Sequence, residues 1–449
     1  MTLDRRRMLV SLAATAVTPL LPRQRVISRE RQPLPPRPLR SRTGVVDWAA
    51  VRALFPLSAE WTHLASFLLV SHPKPVAEAI EHFRRKIDAD PVWIEIAALT
   101  DAEGRPFTAV KRALADYVGG QPAELCLTTN TTSALAMAYH GLRIRADQEI
   151  LTTEHEHYSH HESIRYAASR SAARVRYVTL YDKPATADAD QMVDRVARAI
   201  GPRTHAVGIT WVHSSTGVKT PVAEIAAAVA RANQGRRDAD RCLLIADGVH
   251  GFANQDVDIA RLGCDFFASG THKWLFAPHG TGFLWGRADA WPHLRPTIPS
   301  FDPDGLVTWD AWMKRQSLPP TQAAFVSPGG FLAYEYLLAI PAAVDLHRTI
   351  GRDRVAARIA ELNAAFREGA ASIRGVTLHT PRDARLSAGI SCFEVAGLSA
   401  EAVTQRLTER KFRTNNSPYK TSYARVAAGV MNTPDEIERV LRAIRALAT

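Results

Sequence analysis

Between about residue 115 and residue 290 the chain alternates short apolar runs with longer stretches in which apolar residues recur every three or four positions. The runs 125–127, 149–152, 175–180, 205–212, 242–246, 265–268 and 282–285 are rich in β-branched or aromatic residues and predict strands. Segments 132–142, 190–200 and 222–233 lie between them and predict helices. Strands that are apolar throughout are buried on both faces, so this pattern predicts an α/β domain with a mainly parallel mixed sheet covered by helices. Beyond Pro341 the rhythm changes to one long helical stretch ending near Arg374, strands near 376–379 and 389–395, a helix over 400–411 and a last helix after Asn432. Thr433-Pro434-Asp435-Glu436 offers that helix a cap, a first-turn proline and a capping-box glutamate. The chain is thus expected to divide into a large α/β domain over 76–339 and a smaller C-terminal α+β domain over 340–449. A segment at 46–75 is expected to pack on the smaller one.

The 449 residues are 46% hydrophobic and 22% charged, which excludes collagen-like, disulfide-scaffold and wholly disordered chains. A formal charge of +11 would suggest nucleic-acid binding if it were spread over the body. Residues 1–45, however, hold ten arginines against Asp4 and Glu30, a net of +8 that leaves +3 for the remainder, so no nucleic-acid partner is expected. Arg5-Arg6-Arg7 precede a weakly apolar run from Met8 to Leu21, too short for a mature membrane span and suited to a signal-peptide core. An arginine pair before such a run resembles a twin-arginine (Tat) signal, and the Pro- and Arg-rich stretch 22–42 reads as a linker. Residues 1–45 are therefore expected to engage the Tat export machinery and direct the protein to the periplasm, with no stable membrane span. The four cysteines form no C-x-x-C pair and sit in or beside apolar runs, where they read as buried small hydrophobes.

Three short motifs carry chemistry. Ser269-Gly270-Thr271-His272-Lys273-Trp274 follows the apolar run that ends at Ala268. A lysine at the end of a buried strand loses hydration, which lowers its pKa and frees its amine to condense with an aldehyde. Asp247, in Ile245-Ala246-Asp247-Gly248-Val249-His250, ends another buried strand. A carboxylate there can hold the protonated pyridine nitrogen of pyridoxal 5'-phosphate while the lysine holds its aldehyde carbon. Open α/β sheets gather ligands at the C-terminal edges of their strands, where both residues would lie. Leu127-Thr128-Thr129-Asn130-Thr131-Thr132-Ser133 joins a strand to a helix and offers hydroxyls and free N–H groups to a phosphate. The cluster His155, His157, His160 and His161 raises an alternative of another class, a periplasmic metal- or solute-binding protein. It lacks the His-Glu-x-x-His spacing of a zinc helix, and no metal is assigned.

Together these motifs resemble the class V aminotransferases of pyridoxal-phosphate fold type I, in the isopenicillin N epimerase-like branch, over roughly residues 50–445. The resemblance implies that fold, the cofactor pyridoxal 5'-phosphate and a homodimer. It makes Lys273 the Schiff-base lysine and proton shuttle, Asp247 the partner of the ring nitrogen, and His157 of the Glu156-His157 pair the ring-stacking residue. His250 would bond the phenolic oxygen, and Thr131, Thr132, Ser269 and His272 the phosphate. Ser214, in Ser214-Ser215-Thr216-Gly217, would stand beside the reacting centre, and Arg425 would take the substrate carboxylate. Two departures stand out: Ser327-Pro328-Gly329-Gly330 has glycine where many relatives place a phosphate-binding threonine, and Asn415-Asn416-Ser417-Pro418-Tyr419 lacks the cysteine of desulfurases. The implied activity is transamination or epimerisation at the α-carbon of an amino acid or of a residue in a peptide metabolite, with C–S or other β-lyase chemistry as the alternative and cysteine desulfuration disfavoured. Exported enzymes of this type that tailor pyoverdine-type siderophores are similar in kind, which extends the expectation to secondary-metabolite tailoring.

Overall fold

A computed structural model describes residues 39–40, 44–100 and 106–448. The arginine pair and the apolar run of the expected leader lie outside the described residues. In chain order the strands are β1 (Thr62–His63), β2 (Leu125–Thr128), β3 (Glu149–Thr153), β4 (Arg174–Val178), β5 (Thr204–Thr210), β6 (Leu243–Asp247), β7 (Phe266–Gly270), β8 (Gly282–Gly286), β9 (Val376–Leu378), β10 (Ser391–Val395), β11 (Phe412–Arg413), β12 (Asn415–Asn416) and β13 (Ala424–Val426).

The large sheet has the order β2-β8-β7-β6-β5-β3-β4. β8 runs antiparallel to both β2 and β7, and the neighbours from β7 to β4 are parallel. Every residue of β2, β3, β5, β6, β7 and β8 is buried, which is why these segments read as unbroken apolar runs. The outer strand β4 is largely exposed and carries Arg174 and Arg176, charges that discourage pairing with another chain's edge. Helices Thr131–Gly141 and Tyr158–Ser171 pack together over one core that contains Ile150, Ile245 and Phe266, while Val222–Ala232 lines the other core with Leu244 and Phe267. This is the mixed, helix-covered sheet of the fold type I class.

The smaller sheet is antiparallel, in the order β12-β13-β10-β9. β1, from the N-terminal segment, pairs in parallel with β11. The single long helix expected after Pro341 is two helices, Ile340–Ile350 and Arg352–Ala371. Gly351 separates them at φ 105, a left-handed conformation that an α-helix cannot contain and that glycine adopts without strain. The last helix, Pro434–Arg445, has the capping box read from its sequence, and its Glu436 also pairs with Arg52 at 2.7 Å.

Candidate active site

The chemistry-bearing side chains enter at the C-terminal ends of the parallel strands. Asp247 is the last residue of β6, with His250 just beyond it, and Lys273 follows β7 in a tight turn. His157 follows β3 and caps the helix Tyr158–Ser171, while Ser214 follows β5. Thr131 and Thr132 open the helix after β2, whose cap is Asn130; its Oδ1 accepts from the Ser133 N–H at 2.9 Å. Arg425 arrives from the other sheet, on β13. Lys273, Asp247, His157, His250, His272, Thr131, Thr132, Ser214 and Arg425 all line one cavity of about 280 Å³. A larger open groove of about 1170 Å³, walled by Trp211, Lys219 and Asp383, contains none of them, so volume alone does not locate the site.

Ser269 is the exception. It lies inside β7, wholly buried, opposite Phe283, and its hydroxyl donates to the Gly270 carbonyl at 2.9 Å instead of facing the cavity. The neighbouring Gly270 packs behind the wall: its N–H donates to Thr131 Oγ1 at 2.7 Å, and a Cβ there would stand 2.7 Å from the His272 ring. Ser327 and Gly329 lie elsewhere, the Gly329 N–H donating to the Pro299 carbonyl at 2.8 Å.

Burial sets the charges. Of the lining residues Asp247 is the acid, and Lys273 and Arg425 are the cations. Enclosure pushes the Lys273 amine down to about 8, Asp247 opposing and Arg425 reinforcing the shift; its Nζ stands 3.4 Å from His250 Nε2. Burial also lowers His250, helped by Lys273, and takes His272 down to about 4, so both imidazoles are neutral donors or acceptors. Burial raises Asp247, opposed by His160 and by the Val249 N–H that donates to Oδ1 at 3.1 Å. Two cations facing one acid, with neutral imidazoles between, favour an anionic ligand.

Beneath the cavity lies a polar network that sequence reading did not find. Glu156, wholly buried, accepts from Thr153 Oγ1 at 2.6 Å and from the Thr210 hydroxyl, and contacts His160 Nδ1 at 2.9 Å. Burial alone would raise its pKa, but His160 and His213 hold the carboxyl well below its ordinary range. His160 Nε2 meets the Tyr139 hydroxyl at 2.7 Å, in space left free because residue 208 is glycine. Thr210 is the register partner of Asp247, so the network abuts the β6 end of the site. The four clustered histidines therefore separate: His155 stacks on Tyr181 and lines the cavity with His157, while His160 joins Glu156 and His161 Nε2 bonds the Thr153 carbonyl at 2.7 Å. That dispersal removes the basis for a metal or solute site built from all four. Tyr419 and Phe67 are further lining residues that were overlooked as site residues. The position of Tyr419, six residues before Arg425 in a loop of small and polar residues, was the available signal.

A family model, Aminotransferase class-V, matches residues 71–439. The chain belongs to the class V aminotransferase family. Isopenicillin N epimerase from Streptomyces clavuligerus is 29% identical over 421 residues, covering 90% of this chain and 99% of that protein. A probable cysteine desulfurase from Xylella fastidiosa (strain 9a5c) is 24% identical over 417 residues, covering 89% of this chain and 95% of that protein. Among solved structures, a mutant of C-DES with glycine covalently linked to its pyridoxal-phosphate cofactor superposes with a TM-score of 0.75 at 20% identity, covering 88% of this chain and 98% of that one.

The class V site of this chain fits pyridoxal phosphate on its own geometry. His250 Nδ1, His272 Nδ1 and Arg425 Nε are buried polar atoms without a partner, and all three belong to residues of the cavity wall. Leaving such atoms unpaired costs about 1–3 kcal/mol each, which a phosphate, a phenolic oxygen and a carboxylate would recover. The helix start at Thr131, close against Gly270, would hold the phosphate, and Asp247, the acid of the cavity wall, would pair with the pyridine nitrogen.

Proposed function

We propose that this class V enzyme uses pyridoxal 5'-phosphate to break the bond from the α-carbon to hydrogen in an amino acid, or in an amino-acid residue of a peptide metabolite, and then either to re-form that bond with the opposite configuration, as an epimerase, or to release the carbon as a keto group after giving up its amino group, as an aminotransferase. The observation that carries the reading is the convergence of Lys273, Asp247 and Arg425, from three different strands or strand ends, on one small cavity. The likeness to isopenicillin N epimerase over 99% of that protein's length supports the epimerase side. The cofactor, when bound, supplies an aldehyde to condense with an amine and a ring that withdraws electrons from the bond beside it. Asp247 holds a proton on the ring nitrogen, an opposite-charge effect strengthened by burial. Lys273, with a pKa near 8, takes and returns the α-proton close to neutral pH. Arg425 would orient the α-carboxylate, and His157 would stack on the ring.

Cysteine desulfuration remains disfavoured in this reading. Cys126, Cys242, Cys264 and Cys392 are buried, and burial pushes the thiols of Cys126, Cys242 and Cys392 up to about 12, far from a nucleophilic thiolate. A homodimer is part of the same proposal, supported by apolar side chains left open in the single chain, among them Trp312 at 77% and Phe331 at 79% exposure. Delivery to the periplasm by the Tat route, and tailoring of a siderophore-type peptide there, rest on the leader sequence and on analogy. Among the described residues no helix is long and apolar enough to cross a membrane.

The test is α-proton exchange. Protein loaded with cofactor and mixed with L-alanine in deuterated water is expected to place deuterium at the α-carbon, and Lys273→Ala is expected to lose that exchange by at least ~100-fold. Exchange that survives the substitution contradicts the reading.

A further inference from the structure

We infer that Tyr419 is a second acid–base group of this site, delivering a proton to the face of the α-carbon opposite Lys273; the inference rests on the α-carbon chemistry proposed above. Tyr419 sits in the hairpin loop between β12 and β13, whose base carries Arg425 paired with Asn415. Both side chains reach the same residue of the large domain. Arg425 Nη1 donates to the Ser214 carbonyl at 2.9 Å, and the Tyr419 hydroxyl meets Ser214 Oγ at 2.7 Å. Whatever carboxylate Arg425 holds is therefore held beside the Tyr419 hydroxyl. Internal bonds fix the loop: the Ser417 N–H donates to the Tyr423 carbonyl at 2.8 Å, and the Tyr423 N–H donates to Ser417 Oγ at 2.9 Å.

The order of the sheet brings the two groups in from different sides. Lys273 follows β7 and touches His250 beyond β6, whereas Tyr419 touches Ser214 beyond β5 and stands edge-on to His157 beyond β3, with ring centroids 5.9 Å apart. In the order β7-β6-β5-β3 Lys273 therefore enters from the β7 side, while Tyr419 is held toward β5 and β3. Burial raises the Tyr419 phenol, so it enters the reaction protonated, as a donor.

The proton balance closes without any oxidant or reductant. On one side the α-C–H bond breaks, its proton passes to the Lys273 amine and its electron pair stays on the substrate. On the other side the Tyr419 O–H bond breaks and a new α-C–H bond forms. The phenolate regains a proton through Ser214 Oγ from water, and the Lys273 ammonium returns one to water. The configuration is inverted and no proton is consumed.

Tyr419→Phe keeps the ring and removes the hydroxyl. With L-alanine and D-alanine as probes in deuterated water, the variant is expected to exchange the α-hydrogen of the enantiomer served by Lys273, with retention, while inversion falls by at least ~100-fold. Inversion near the wild-type rate, or a parallel loss of exchange and inversion, overturns the role. Wild-type protein that exchanges but never inverts also overturns it while leaving the α-carbon reading standing; wild-type protein that does neither removes the reading itself. A second readout needs no turnover: the near-ultraviolet phenolate difference between cofactor-free wild type and Tyr419→Phe should show this tyrosine protonated through neutral pH and ionising above the ordinary phenol range. A phenolate already present at neutral pH overturns the assignment as donor.

Discussion

Arg425 and Ser214 join the two sheets at the site: the guanidinium leaves β13 and donates to the Ser214 carbonyl, just past β5, at 2.9 Å. It also donates to Asn415 Oδ1 at 2.9 Å and to the Asn416 carbonyl at 3.0 Å, and it lies 4.1 Å from the Phe67 ring centroid. Held this way, it leaves two of its five N–H groups unpaired, the one on Nε and one on Nη1, and a charge that no acid neutralises among these contacts. Arg425→Lys keeps the charge and loses the fork. It is expected to raise the Michaelis constant by roughly 10- to 100-fold, the worth of a charge-assisted hydrogen bond, with cofactor content unchanged. Because a lysine cannot serve three acceptors in fixed directions, thermal stability should fall as well. Steady-state kinetics beside a melting curve separates the two effects; an unchanged Michaelis constant with a lowered melting temperature would leave Arg425 only its structural role.

Lys273 gives a pH dependence with a definite sign. Its amine is lowered from 10.5 to about 8, so the free base accumulates above about pH 8 in the cofactor-free protein. Capture of added pyridoxal phosphate should accelerate as pH rises toward that value and then level off. Between about 8 and 10.5 the unfolded chain binds the proton more tightly than the folded one, so this group's contribution to stability increases with pH across that window. Lys273→Met should abolish both dependences, as stopped-flow uptake and urea titrations at several pH values would show.

The motifs at Asp247, His250 and Lys273 were legible because each directly follows an apolar run, and a strand end fixes where a side chain points. Ser269 was misread for a related reason: inside a strand neighbouring residues face opposite ways, and the motif does not tell which way Ser269 faces. Its hydroxyl turns to the Gly270 carbonyl. Tyr419 and Phe67 come from loop and N-terminal segments with no periodicity, so only the tertiary fold brings them to the cavity. Glu156 was read for its neighbour His157, yet its own partners Thr210, His160 and His213 come from β5, the helix after β3 and the loop after β5.

That network makes Glu156→Leu a severe change. It leaves the histidine contacts without their acid in a wholly buried place, and a loss of about 3–5 kcal/mol is expected in denaturant unfolding. Because its folded pKa is depressed, the wild-type contribution is present above the ordinary carboxylate range and is lost as pH falls through and below it. The difference between wild type and variant should therefore shrink in acid. A difference independent of pH down to strong acid would show that the carboxylate charge is not what matters.

The leader makes a separate prediction. Replacing Arg5 and Arg6 with lysine keeps the charge and is expected to hold the folded, cofactor-loaded protein in the cytoplasm, as fractionation of cells would show. Unchanged periplasmic delivery would remove the Tat reading and leave the site chemistry untouched.

The most direct measurement is borohydride reduction of the purified, cofactor-loaded protein followed by peptide mass mapping. The visible absorbance should bleach, and a single peptide, the one carrying Lys273, should gain the mass of the reduced cofactor. A modified peptide that lacks Lys273, or no modified peptide at all, contradicts the placement of the cofactor in this cavity.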